Sequence, residues 1–175
     1  MSKGVIFISY GMGGAAIETW GTGLRLLIER CKAIGLDTAQ SPYHWSDVNT
    51  IVEAIGRVPS ELPIGVGGSS LGDDEAPDIA SRVRRQIKFL FGFQDSSYGV
   101  NVGVPDNVEF ASNIWNPSWL ETFGLGSRKW WRVHPRADDQ QTGRLRNIPI
   151  HAPHPDDWGV AQDIIFSQIH AKLAA

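Results

Sequence analysis

The sequence predicts a three-layer α/β/α sandwich with a mostly parallel sheet. Three observations predict it. Continuous apolar runs at 4–10 (GVIFISY) and 87–93 (IKFLFGF) have the pattern of strands buried on both faces. Amphipathic stretches of helical period lie between such runs. The two patterns alternate, which is the order of parallel strands joined by crossover helices.

The elements follow in order. The run 4–10 is the first strand, ended by Gly11-Met12-Gly13-Gly14. Leu24, Leu27, Ile28 and Cys31 repeat at helical spacing, and Gly35 stands where a C-terminal cap is expected. A short strand is expected at 36–40. Ser46 can cap a second helix with Val48, Ile51, Val52 and Ile55 on its apolar face. After a loop at 59–62, the segment 63–67 (PIGVG) reads as a short buried strand. A third helix follows Ser70, with Ala76, Ile79, Ala80 and Val83 inward. Strands are then expected at 87–93, 107–113, 129–134 and 146–150. A closing helix begins near Asp157, with Ala161, Ile165 and Ile169 on one face.

The chain has 175 residues, which fits one domain spanning 1–175. That length buries enough apolar surface to need neither disulfide nor structural metal. Its one cysteine, Cys31, falls on an apolar helix face and reads as a buried, inert thiol. The net charge is −3 and there is no basic stripe, so nucleic acid is not an expected partner. No apolar run approaches the ~20 residues that span a bilayer. The first residues run straight into a strand rather than a signal peptide, so a cytoplasmic protein is expected.

One motif carries chemistry. Gly68-Ser69-Ser70-Leu71-Gly72 matches G-x-S-x-G, between an apolar strand and an amphipathic helix. A serine in such a tight turn needs small residues two before and two after it. The turn lifts its oxygen clear of the sheet, and the helix start supplies N–H groups. Ser70 is therefore the candidate nucleophile; Ser69 lacks the second glycine at the right spacing. The N–H of Leu71 is one candidate oxyanion donor, and that of Met12, in the loop after the first strand, is the other.

A base must reach Ser70 to take its proton. His151 and His154 follow the last strand, where ligands of open α/β sheets bind. His151 ranks first because it is nearer the strand end. His44, in an early loop, and His170, in the closing helix, read as surface or packing residues. For the acid that orients the imidazole, Asp95 ranks first and Asp138 second. Asp156 and Asp157 read as caps of the last helix. Asp73, Asp74 and Glu75 suit the helix dipole, but their charge opposes an oxyanion unless they point to solvent.

These residues resemble the α/β-hydrolase superfamily, in particular its small lidless cutinase-like and lipase-like serine esterases. The resemblance rests on the oxyanion strand and loop (6–14), the nucleophile elbow (68–72), the late histidine and the order Ser, acid, His. It implies a minimal α/β-hydrolase fold without a cap. It also implies hydrolysis of a small or surface-presented ester through an acyl-serine intermediate, with no cofactor. Relatives often place the acid in an Asp-Pro pair after the next strand; here that place reads Phe93-Gln94-Asp95.

Three other readings compete. Gly11-Met12-Gly13-Gly14-Ala15-Ala16 satisfies a dinucleotide-binding pattern, but Asp37 falls at the start rather than the end of the next expected strand. His151, His154 and Asp156 or Asp157 could begin a zinc site, which would want a further ligand and supporting partners. A hydrolase fold can also serve only to bind.

Overall fold

A computed structural model of the chain describes residues 2–11, 22–93, 104–115, 143–151 and 157–174. Its centre is a six-stranded sheet: β1 (Val5–Tyr10), β2 (Tyr43–His44), β3 (Ile64–Ser69), β4 (Phe89–Phe93), β5 (Ala111–Trp115) and β6 (Leu145–Pro149). The spatial order is β2-β1-β3-β4-β5-β6, and each neighbouring pair is parallel. Among the described residues, four helices pack on it: α1 (Thr22–Ala33), α2 (Val48–Gly56), α3 (Leu71–Arg82) and α4 (Asp157–Ile169). A π-helical turn, His170–Ala174, continues α4.

Two cores fill the sandwich. Alternate residues of the central strands supply them, because successive side chains point to opposite faces. Val5, Phe7, Ile64, Val66 and Leu90 pack under α2 and α3, against Ile51, Ile55, Ala76, Ile79 and Ala80. Ile6, Ile8, Phe89, Phe91 and Phe93 pack under α1 and α4, against Leu24, Leu27, Ile28, Ala161, Ile165 and Ile169. The inward faces expected for α1, α3 and α4 are thus those buried. This is the three-layer arrangement on a parallel sheet that the sequence predicts.

The end of α1 shows local chemistry fixing an element. Gly35 takes φ +87°. Its N–H donates to the Lys32 carbonyl, and the Leu36 N–H donates to the Cys31 carbonyl. That bond pair is a Schellman cap, and glycine enters its left-handed position at little cost.

Several boundaries differ from the sequence reading. No strand forms over 36–40; Asp37 makes one isolated bridge to Val5. The Asp37 carboxylate accepts a hydrogen bond from the Ala39 N–H, which turns the chain away from the sheet edge. The pairing strand is β2, a few residues on, in register with Ser9 and Tyr10. Asp47, not Ser46, is the N-cap of α2, and the Ser46 hydroxyl instead meets His44 Nδ1 at 2.6 Å. The third strand runs on to Ser69. The fifth begins at Ala111 rather than 107, and before it Val108 makes one isolated parallel bridge to Ile87. The Asn107 Nδ2 lies within hydrogen-bond distance of the Ala80, Val83 and Arg85 carbonyls, closing the end of α3. The strand expected at 129–134 lies outside the described residues.

No helix among the described residues is long and apolar enough to cross a membrane. Cys31 is fully buried, and burial pushes its thiol up to about 12, partly opposed by the Arg30 charge. The native protein should therefore resist iodoacetamide at mildly alkaline pH, where a free thiol reacts readily. Labelling should appear only on denaturation, as read by intact mass; rapid labelling of the folded protein would contradict this burial.

Candidate active site

α1, which follows β1, and α3, which follows β3, cover opposite faces of the sheet. Adjacent strands whose crossovers leave in opposite directions open a crevice at their carboxyl ends, where open α/β sheets bind ligands. Gly11 stands at the end of β1 and Ser70 at the end of β3. Both therefore meet at this crevice.

Ser70 has φ 58° and ψ −128°, a conformation rarely adopted by a residue with a side chain. Such backbone costs on the order of 1–3 kcal/mol and persists only where its surroundings enforce it. The enforcing contacts are visible. The Ser70 N–H donates to the Phe93 carbonyl at the end of β4, at 2.9 Å. The Asp73 N–H donates to the Ser70 carbonyl, also at 2.9 Å. A Cβ on Gly68 would lie 2.0 Å from the Gly72 carbonyl oxygen, and one on Gly72 would lie 2.6 Å from the Ser9 carbonyl carbon. Larger residues at either position would force β3, the elbow and β1 apart. This is the physical content of the small-residue spacing in G-x-S-x-G. Ser69, by contrast, is buried within β3, while Ser70 is partly exposed.

The approach of β1 is equally close. A Cβ on Gly11 would lie 2.7 Å from both the Ser70 Oγ and the Leu71 nitrogen. The backbone after β1 is thus pressed against the serine oxygen and the first N–H of α3. Ser9 ties the same parts together. Its buried hydroxyl lies 3.0 Å from the Gly72 carbonyl oxygen and 3.4 Å from that of Gly67.

The carboxylates of α3 divide. Asp73 is wholly buried and does not point to solvent. Burial, with the Asp78 charge, pushes the Glu75 carboxyl above its usual range, while Arg82 opposes this.

His151 lies two residues beyond the end of β6 and is exposed. It shares the carboxyl rim with Ser70, but β6 is the outermost strand, and β4 and β5 separate it from β3. His44, which the sequence placed in a loop, ends β2 on the same rim. Tyr10 pairs with both His44 and Ser69, and the Tyr10 and His44 rings meet edge-on with centroids 5.5 Å apart. The polar Ser9 within an otherwise apolar buried run was the signal that could have marked it as part of this site. His170 is exposed in the turn after α4. Met12, Asp95, Asp138 and His154 lie outside the described residues. Among the described residues, no three metal-ligating side chains gather.

A parallel sheet with a strained serine between β3 and α3 defines the chain's class as an α/β-hydrolase fold. Comparison with solved structures agrees. A protein of Xanthomonas campestris pv. campestris, provisionally named as a hydrolase of the α/β superfamily, superposes with a TM-score of 0.62 at 15% identity, over 98% of this chain and 99% of that one. The dienelactone hydrolase of Anabaena variabilis superposes with a TM-score of 0.59 at 13% identity, over 98% of this chain and 88% of its own. At such identities the likeness concerns the fold. No family model and no curated protein matches the sequence.

The upward shift of Glu75 has a sign that can be checked. Its folded state holds the proton more tightly than its unfolded state. The associated stability is full below the ordinary glutamate range and is lost as pH rises through the higher folded value. Glu75→Gln should therefore melt above the wild type at neutral pH. The gain should fade as pH falls through the glutamate range, and thermal scans across pH that show a constant difference would contradict it.

Proposed function

We propose that the chain is a serine hydrolase that cleaves a carboxylic ester through an acyl-Ser70 intermediate. The observation that carries this reading is the strained backbone of Ser70, with the Leu71 nitrogen and Gly11 packed beside its oxygen. Strain of this kind accumulates at sites where it serves a mechanism. Structures of proteins named as hydrolases share the fold, which favours the reading by analogy.

In the proposed reaction, an imidazole takes the Ser70 proton as Oγ bonds to the substrate carbonyl carbon. The carbonyl π electrons move to its oxygen, which the N–H groups of Leu71 and Met12 hold. The tetrahedral intermediate collapses, the carbon–oxygen bond to the alcohol breaks, and the imidazolium returns the proton to the alcohol. Water repeats the sequence on the acyl-serine and releases the acid. No cofactor enters.

The base is drawn from His151 and His154. At ~4.8 Å between neighbouring strands, the end of β6 stands roughly 14 Å from the end of β3. One imidazole does not bridge that span from the strand end itself. His151 stands two residues and His154 five residues beyond β6, and the base role is assigned to one of these two imidazoles. Asp95 is the assigned acid. It lies two residues beyond Phe93, whose carbonyl already accepts the Ser70 N–H, so the chain leaves for Asp95 from beside the nucleophile.

A fluorophosphonate reagent tests this directly. The purified protein should gain one label, mapped by mass spectrometry to Ser70, and Ser70→Ala should gain none. His151→Ala or His154→Ala, whichever removes the base, should slow labelling roughly 100-fold or more, the scale of a lost general base. Gly11→Ala should also suppress labelling, because its methyl would occupy the space between the Ser70 Oγ and the Leu71 nitrogen. An unlabelled wild type, or labelling that survives Ser70→Ala, would refute the assignment.

A further inference from the structure

We infer that Ser9 is a positioning residue, whose hydroxyl sets the distance between the two halves of the oxyanion site. The inference rests on the hydrolase reading above. Those halves belong to different elements. One is the Leu71 N–H at the start of α3; the other is the backbone just after β1, at Gly11.

The sheet ladder fixes β1 against β3 as far as the pair Tyr10 and Ser69. Ser70, Leu71 and Gly72 lie beyond that ladder. Gly72 rests directly on the Ser9 and Tyr10 backbone, yet it has no side chain with which to interlock. Van der Waals contact alone limits approach but does not stop α3 from sliding along β1. A directional bond does, and Ser9 supplies one. Its Oγ, carrying a single hydrogen, donates to the Gly72 carbonyl at 3.0 Å, while the Gly67 carbonyl lies farther off at 3.4 Å. These carbonyls flank the elbow, one before Ser70 and one after it. Among the described residues, no other side chain of β1 bonds to the elbow backbone.

Burial makes the hydroxyl informative. Ser9 is 1% exposed. Its position faces the same core as Phe7 and Val5, since alternate residues of a strand share a face. A hydroxyl in such a place loses its water, and a partner must offset the loss. The partner here is a carbonyl of the first turn of α3. The Ser9 hydroxyl bonds to the carbonyls on either side of Ser70 rather than to Ser70 itself, and it acts through the placement of Leu71. Because the oxyanion forms only during reaction, misplacement should affect turnover and leave substrate binding alone.

The experiment compares wild type with Ser9→Ala and with Ser9→Cys, a near-isostere with a weak donor. Fluorophosphonate stoichiometry counts competent sites, and kinetics on p-nitrophenyl acetate are expressed per competent site. Both variants should still label at Ser70. Their labelling rate and kcat per site should fall roughly 10- to 100-fold, the scale of a small misplacement, with KM unchanged. A role confined to folding would lower the number of competent sites and leave each at wild-type speed, which would overturn the inference. If Ser9→Ala does not fold, Ser9→Cys decides by the same criterion. A wild type that does not label would remove this inference together with the hydrolase reading. A wild type that labels beside a Ser9 variant of unaltered kinetics would remove this inference alone.

Discussion

The close approach of α3 to β1 is the constraint on which the rest of the molecule depends. Helices usually stand off a sheet by the depth of their side chains. Here the first turn of α3 rests on strand backbone, with Gly72 against Ser9 and Tyr10 and with Gly68 beneath the Gly72 carbonyl. Only residues without Cβ permit that separation. The cost of their flexibility is borne by the large apolar layers on either side, where Phe7, Phe89, Phe91 and Phe93 are fully buried. The core thus holds in place a junction that has little side-chain packing of its own.

Topology then determines what the junction can meet. β1 and β3 are neighbours in the sheet although a strand and two helices separate them in the chain. This adjacency brings Gly11 to the Ser70 oxygen. β4 completes the frame from the other side, since the Phe93 carbonyl accepts the Ser70 N–H. Three parallel strands therefore converge on one residue. A rearranged strand order with the same sequence motif would leave the serine in a turn with nothing facing it.

The sequence made the core layers and the elbow legible because both depend on local pattern. Apolar runs and helical spacing reveal which side chains turn inward, and the spacing of Gly68, Ser70 and Gly72 reveals the turn. Other features depend on contacts between distant segments. The Asn107 amide closes the end of α3, a contact that nothing near 107 announces. Asp37 bends the chain through its own carboxylate, which displaced the second strand to Tyr43–His44. His44 consequently reached the carboxyl rim, although its sequence neighbourhood resembles a loop. The proposed base and acid were the least legible parts, because a lone histidine or aspartate between elements carries no periodic signature.

The left-handed backbone at Ser70 also bears on how such a chain drifts. Glycine would adopt that conformation without penalty, whereas every residue bearing a side chain resists it. On thermodynamic grounds alone, the position is a sink for glycine codons. A hydroxymethyl group there sits uphill of its simplest replacement, and mutation unopposed by selection would tend to erase it while leaving the scaffold sturdier than before.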